Sequence, residues 1–192
     1  MARRHDPGRR QRITDAAVRV LMERGIAGLS HRAVAAEADV PLGSTTYHFS
    51  SLDDLLLAAL REVNDAWLTR LERWEAALRP GRPLAGELAR FVEESVRDER
   101  PRVELEYELY FAGLRRPAVR PLAAFCLDEM AGVLRRRVPD DATARALVAL
   151  LDGLLLQLVL TGRECDREQI REAFARLVPQ DGTGSPPGPA AG

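Results

Sequence analysis

Lysine is missing from this chain, and all 28 of its basic residues are arginine. This absence excludes chemistry that depends on a lysine amine, such as a Schiff base or the lysine of a phosphate-binding loop. Cysteine is nearly as scarce, because Cys126 and Cys165 are the only two in 192 residues. Two thiols so far apart predict neither a disulfide scaffold nor a zinc site, and they favour a reducing, cytoplasmic location.

Histidine is confined to the first quarter of the chain, at His5, His31 and His48. The later helical part therefore lacks the Glu-x-x-His pairs of a di-metal bundle, and no hydrolase or metalloprotease motif is present. Glu104 and Glu108 share a predicted helix face, and such pairs usually lie in solvent. An enzyme is the disfavoured alternative, and we expect no metal or cofactor. Turned inward, these two carboxylates would favour a cationic ligand.

The sequence also lacks an export signal and an evident membrane span. Its most apolar stretch, residues 142–161, contains Arg145, Asp152 and Gln157, which favours a buried helix of a soluble protein and predicts no membrane partner. The net charge of −1 indicates no partner, but five arginines fall within residues 1–12 and eight acids within residues 87–108. This asymmetry is typical of a polyanion binder with a separate body, or simply of a solvated arm.

Apolar residues recur with helical spacing throughout, and no stretch shows sustained alternation of apolar and polar residues. We expect Ser30 to cap a short second helix, and Ser51 with Asp54 to begin a long one. The predicted helices cover residues 9–24, 31–38, 41–48, 51–78, 84–97, 103–114, 118–137, 141–161 and 166–178. The predicted divisions are an N-terminal domain over residues 1–50, a helical body over residues 51–178 and a disordered tail over residues 179–192.

The first three helices fit the plan of a DNA-binding helix-turn-helix, in which Asp39-Val40-Pro41 forms the turn. Ala35 is small where two helices must approach closely, and Val40 provides an apolar plug. Phe49 seals the end of the third helix against the first. The exposed face of the third helix is predicted to carry Leu42, Ser44, Thr45, Thr46, Tyr47 and His48, which can contact phosphates and base edges.

The run from Ala35 to Leu55, AAEADVPLGSTTYHFSSLDDL, resembles the signature of the TetR family of bacterial transcriptional regulators. The resemblance extends over residues 9–60, roughly the first third of the chain. It implies an all-α protein in which a three-helix DNA-binding domain is joined by a long helix to a helical ligand-binding and dimerisation domain.

The resemblance also implies roles for single residues. Tyr47 stands where the family has an aromatic residue that grips a phosphate, and Gly43 where a glycine lets the helix lie close to DNA. Leu42, Thr45 and Thr46 depart from the family's usual residues, as does Leu52. The predicted DNA-contacting residues are Ser30, Arg32, Pro41, Leu42, Gly43, Ser44, Thr45, Thr46, Tyr47 and His48.

From this we expect a sequence-specific regulator that binds a double-stranded DNA operator as a homodimer. We further expect a repressor that an unidentified small molecule releases, through a shift of the long helix as the only rigid link between the domains. A helical interaction module that binds no DNA is the alternative, and it predicts no salt-sensitive binding to a duplex.

The apolar helix over residues 141–161 has too wide an apolar surface for one neighbour, which favours a dimer interface on one side. The alternative is a central helix wrapped by its own domain. The residues predicted to form the interface are Leu147, Leu151, Leu154, Leu155, Leu158, Phe174 and Leu177.

A ligand cavity in the body is expected among aromatic and polar residues on inward-facing helix surfaces. The candidates are Trp67, Trp74, Phe91, Tyr107, Tyr110, Phe111, Phe125 and Gln157. We expect about a third of them to line a cavity and the others to be core.

Overall fold

The computed structural model describes residues 8–78 and 81–178, and within these ranges the chain forms nine α-helices and no strand. The predicted all-α class is confirmed. The predicted disordered tail and the arginines at positions 3 and 4 lie outside the described residues. The helices are α1 (Arg9–Arg24), α2 (His31–Glu37), α3 (Leu42–His48), α4 (Leu52–Ala77), α5 (Leu84–Asp98), α6 (Arg100–Arg115), α7 (Arg120–Arg135), α8 (Asp141–Thr161) and α9 (Arg167–Ala175).

The first domain packs the small apolar face of α1 against α2 and the first half of α4. Both predicted caps are confirmed, because the Ser30 hydroxyl accepts from the Ala33 N–H at 3.1 Å and the Ser51 hydroxyl accepts from the Asp54 N–H at 3.0 Å. Each cap satisfies a backbone donor that a helix N-terminus otherwise leaves unpaired. The turn between α2 and α3 holds Asp39 at φ +51°, a left-handed conformation that aspartate tolerates better than most residues.

Helix α1 ends at Gly25, whose φ of +65° is paired with an extended ψ of −175°. The carboxylate of Glu108 on α6 lies where a Cβ at residue 25 would stand, and it accepts the Ile26 N–H. Arg116, just after α6, pairs with Asp53 in the first turn of α4 at 2.7 Å. The expectation that α4 is the only rigid link between the domains is therefore wrong, because α6 also joins them.

The apolar cluster around α1 also takes in Leu105 and Leu109 of α6 and Cys126 of α7. A second cluster is built from α4, α5, α8 and α9. Since side chains from the body complete the first core, the two domains share packed surface. The division after residue 50 stays a prediction.

Helix α8 packs in the second cluster through Leu147, Leu151 and Leu155, which are all buried within the single chain. Phe174 of α9 is also fully buried there. These four side chains fill the body's own core and have no surface to offer a second subunit, so their assignment to a dimer interface is wrong. Leu154 and Leu158 are half-buried and Leu177 is exposed, so these three remain available.

The opposite side of α8 is uncovered, along a stripe of mostly small side chains. Its members are Ala142, Ala146, Ala149, Gly153, Gln157 and Leu160. In the described part of the chain, α8 alone is long and apolar enough to cross a membrane by length and composition, a test that core helices of soluble proteins also pass. On its covered side α8 packs against α7 and α5.

Candidate functional site

The N-terminal domain presents one end and one side of α3 to solvent. Tyr47 is 81% exposed and Leu42 is 46% exposed, and Pro41, Gly43 and Thr46 are exposed beside them. A Cβ added at Gly43 would have no atom within 4 Å, so this part of α3 is open to the approach of a large partner. Ser30 and Arg32, at the start of α2, are also exposed.

Two of the predicted contact residues lie on the other side of α3. Thr45 is fully buried and Ser44 is 7% exposed, so the prediction that they face a partner is wrong. The Thr45 hydroxyl donates to the Leu42 carbonyl at 2.8 Å, which satisfies its hydrogen bonding without solvent. A threonine whose hydroxyl bonds to its own helix can occupy a core position, and that is why its polarity was misleading.

His48 is half-buried, and its ring packs edge-on against Tyr47 with 5.1 Å between the ring centroids. Phe49 is buried as expected, and the guanidinium of Arg10 lies 4.7 Å from the centre of its ring. These contacts hold the exposed tyrosine at the end of a rigid helix. Tyr47, Thr46 and Leu42 therefore form, with Gly43, a candidate surface for a double helix.

The body contains a small cavity of about 10 Å³, room for about one water molecule, between α4, α5, α6, α7 and α8. Its aromatic walls are Trp67, Phe91 and Tyr110, and its polar walls are formed by Arg102, Glu106 and Asp152. A drug-sized ligand would therefore have to widen this cavity in order to bind there. Aromatic faces beside carboxylates form a site suited to a flat cation, because both attract positive charge.

Two acids lie in the wall of this cavity. Glu106 accepts the Tyr110 hydroxyl at 2.8 Å and the Arg102 guanidinium at 3.1 Å. Burial, together with the negative charge of Glu106, raises the pKa of the Asp152 carboxyl to about 7. Burial also raises the pKa of the Tyr110 hydroxyl, which therefore keeps its proton and donates it to Glu106.

Three of the predicted ligand-binding residues, Trp67, Phe91 and Tyr110, line this cavity. Tyr107 is buried next to it, and its hydroxyl donates to the Asp152 carbonyl at 2.7 Å. Trp74 is core and packs edge-on against Phe91 at 5.3 Å.

The prediction of an inward position is wrong for three other residues. Phe111 and Phe125 are 55% and 41% exposed, and Gln157 is exposed on the uncovered side of α8. Phe111 falls on the solvent side of α6, and Phe125 on that of α7. Aromatic character by itself does not place a side chain in a core.

The predicted ligand-binding residues do not include the three charged residues of the cavity, Arg102, Glu106 and Asp152. Glu104 and Glu108 are both exposed, whereas Glu106, midway between them, faces inward. One weak signal was present for Asp152, because a lone acid inside an apolar helix must find a partner, a proton or a polar cavity. No comparable pattern marked Arg102 or Glu106.

A second cavity, with a volume of about 30 Å³, adjoins the first and shares Trp67, Arg102 and Glu106 with it. It extends towards the first domain between α4 and α7. There the Cys126 thiol donates to the Asn64 side-chain oxygen at 2.9 Å, and burial raises the pKa of the thiol to about 12. The thiol is therefore protonated and apolar in character.

Two family models match the chain. Residues 13–59 match the model described as bacterial regulatory proteins of the tetR family. Residues 79–180 match the tetracyclin repressor-like C-terminal domain. The chain belongs to the TetR family of bacterial transcriptional regulators. The resemblance drawn from residues 35–55 is thereby confirmed, and so is the class of DNA-binding regulators, which are not enzymes.

Solved structures and a characterised relative agree with this membership. The multidrug binding protein EbrR, complexed with imidazole, is 55% identical over 95% of this chain and 96% of its own, with a TM-score of 0.81. EbrR complexed with ethidium is 56% identical over 91% and 100% of the two chains, with a TM-score of 0.80. Other EbrR structures contain proflavin and malachite green. The transcriptional regulator PksA of Bacillus subtilis is 29% identical over 88% of each chain.

Proposed function

We propose that this TetR-family regulator is a homodimeric repressor, which a cationic aromatic ligand releases from a palindromic operator. The observation that carries the proposal is the acidic, aromatic cavity formed by Glu106, Asp152, Trp67, Phe91 and Tyr110. Ethidium, proflavin and malachite green, which EbrR binds, are all aromatic organic cations. The shared chemistry of these dyes matches the chemistry of the cavity wall.

The proposed DNA-binding surface is the exposed part of α3 with the start of α2. Tyr47 and Arg32 would contact phosphates, and Thr46 and Leu42 would face base edges. Selection of bound duplexes from a random pool tests this directly. We expect a palindromic sequence with half-sites about one helical turn apart, and an affinity that falls steeply with salt. Recovery of no preferred sequence, or of binding insensitive to salt, would favour the interaction module.

The proposed dimer interface is the uncovered side of α8, joined by Leu154, Leu158 and Leu177. A Cβ added at Gly153 would meet no atom within 4 Å, so a helix of a second subunit has room to approach there. Ala149→Arg would place a charge in the middle of this face. We expect sedimentation to show a dimer for the wild type and a monomer for this variant, whereas Leu114→Arg, on an exposed part of α6, should remain a dimer.

The ligand part of the proposal is tested by the affinity for malachite green, measured by fluorescence. Glu106→Gln keeps the shape of the side chain and removes its charge. We expect it to weaken binding by about 10- to 100-fold, because a desolvated charge pair contributes about 1.5–3 kcal/mol. Glu104→Gln, two residues earlier on the exposed side of the same helix, is the matched control and should bind as the wild type does.

The proposed release works through the helices that join the domains. Trp67 of α4 and Glu106 of α6 both line the cavity, and the same two helices touch the DNA-binding domain. A ligand that separates them would change the spacing of the two α3 helices in the dimer. Coupling between such sites is typically about 1–3 kcal/mol.

A further inference from the structure

The guanidinium of Arg102 already binds the Glu106 carboxylate, the group that a cationic ligand would bind. Its Nη1 donates to Oε2 of Glu106 at 3.1 Å, while Oε1 of the same carboxylate accepts the Tyr110 hydroxyl. Both members of the ion pair are largely shielded, with 15% of the Arg102 side chain and 17% of the Glu106 side chain exposed. The attraction is therefore only weakly screened by water.

Arg102 also lies in the walls of both cavities, next to Trp67. It thus places a positive charge within the space where an incoming cation would bind. Among the described residues Asp152 has no ion-pair partner, so Arg102 neutralises one of the two cavity acids and leaves the other. A cation entering the site is repelled by Arg102 and must compete with it for Glu106.

We propose that Arg102 is an internal competitor for cationic ligands, a side chain that holds Glu106 until a ligand cation displaces it. The inference rests on the proposed function and deepens it, since it names the residue that sets the affinity for charged ligands. It makes the cavity selective, because a weakly held cation cannot replace a hydrogen-bonded guanidinium.

When a ligand displaces the Arg102 side chain from Glu106, a second carboxylate remains for it to bind. The Nε of Arg102 donates to Glu99 at 2.7 Å, so Arg102 keeps one carboxylate when it gives up the other. Glu99 also pairs with Arg70 of α4, and the Arg70 guanidinium lies 5.4 Å from the centre of the Phe91 ring. A move of Arg102 towards Glu99 therefore changes the charge balance at α4, the helix that leads to the DNA-binding domain.

The test measures the affinity of the full-length protein for two ligands of the same shape and different charge. Proflavin is a cation at about pH 8, which is above the pKa of about 7 of the Asp152 carboxyl, and acridine has the same ring frame but is neutral. We expect Arg102→Gln to bind proflavin about tenfold more tightly than the wild type, equivalent to about 1.4 kcal/mol. Its affinity for acridine should change by less than about twofold.

Four further variants separate competition from other effects. Arg102→Lys retains the charge and should stay within about threefold of the wild type for proflavin. Arg115→Gln removes the same charge from the exposed end of α6 and should have no effect. In a Glu106→Gln background, Arg102→Gln should bring no gain in proflavin affinity, because the carboxylate under competition is gone. Arg102→Met provides the same test should the glutamine variant fail to fold, as judged by its helical circular dichroism.

Equal or weaker proflavin binding by folded Arg102→Gln or Arg102→Met would overturn the inference and leave Arg102 as a purely structural residue. An equal gain for acridine would also overturn it, because the effect would then be one of space. Failure of the proposed function looks different: the wild type and every variant would bind neither proflavin nor malachite green.

Discussion

The two domains of this regulator differ in where their proposed binding residues lie. In the first domain these residues are exposed on the outside of the core, and in the body they face inward. In the first domain the core is mainly aliphatic, and the exposed residues of α3, Thr46 and Tyr47, lie outside it. In the body the outside of α6 carries ordinary solvated acids, and the charged groups Arg102 and Glu106 face inward around a cavity. A DNA-contacting surface must meet a large partner from outside, whereas a drug-sized ligand is recognised by surrounding it.

The largest expected effect is on the free energy of unfolding, and it comes from a substitution in the core of the body. Phe174→Ala should lower the free energy of unfolding by about 3–5 kcal/mol, because a fully buried aromatic ring leaves a cavity when it is removed. Urea unfolding measures the change at fixed protein concentration. Leu114→Ala, at a side chain that is 73% exposed, should change it by less than about 0.5 kcal/mol. A similar small loss for Phe174→Ala, with dissociation of the dimer, would restore Phe174 to the interface.

A second expected effect is a pH dependence of the free energy of unfolding, which arises from Asp152 in the body. The pKa of Asp152 is raised from 3.8 to about 7 in the folded protein, so the folded state holds a proton that the unfolded state releases. Its contribution to stability is therefore full below about pH 4 and is lost as the pH rises to about 7, on the order of 1–3 kcal/mol. Asp152→Asn should remove this part of the slope in urea unfolding.

Ligand binding should show the opposite trend. Ionised Asp152 attracts a cation, so the affinity for ethidium, whose quaternary nitrogen keeps its charge at every pH, should rise between about pH 6 and pH 8 in the wild type and less in Asp152→Asn. Equal slopes in the two proteins would show that Asp152 does not face the ligand.

Neighbouring threonines of α3 offer a sharper comparison within one helix. Thr45→Ala should cost about 1 kcal/mol of stability and leave the ranking of operator sequences unchanged, because Thr45 is fully buried. Thr46→Ala should leave the stability nearly unchanged and alter the ranking of operator sequences, since the Thr46 side chain is exposed beside Tyr47. Duplex selection with each variant, alongside thermal unfolding, distinguishes the two roles. A changed operator preference in Thr45→Ala would contradict the assignment of faces.

The smallest expected effect is at Gly43. Gly43→Ala meets open space and should stabilise the protein by up to about 0.5 kcal/mol, because alanine favours a helix more than glycine does. The added methyl should nevertheless weaken operator binding, because the backbone at residue 43 must approach DNA closely. Fluorescence anisotropy of a labelled operator measures this loss. Unchanged operator affinity would place residue 43 away from the duplex.

The sequence predicts helices better than it predicts their faces. The bounds of α1 and α8 agree with prediction at both ends, because a glycine ends each and α8 has an aspartate cap. The side of α6 that faces the cavity could not be predicted from the sequence. The helix is covered on two sides, so its apolar residues mark no single face, and the buried ones are Val103, Leu105, Tyr107 and Leu109. Which glutamate enters the cavity then depends on packing between helices.

Which residues of α3 are exposed was only partly predictable, for a related reason. A short helix with hydroxyl residues on both sides gives no apolar stripe, and Ser44 and Thr45 were assigned outward on polarity alone. For the proposed dimer interface the choice rested on large leucines, several of which are buried within the chain, and it passed over the small residues Ala149 and Gly153 on the other side of α8. Composition marks what is apolar, but contact with a second helix depends on how closely backbones can approach.

The central claim is that a cation held by the cavity acids releases the operator, and one titration tests it most directly. Malachite green is added to the protein bound to its selected operator, for the wild type and for Glu106→Gln, and release is followed by anisotropy of the labelled duplex. Any effect of the dye on DNA itself is common to both proteins. We predict release of the wild type at a dye concentration at least about tenfold lower than for Glu106→Gln. Release at equal concentrations, or retention of the operator by a dye-saturated wild type, would contradict the account.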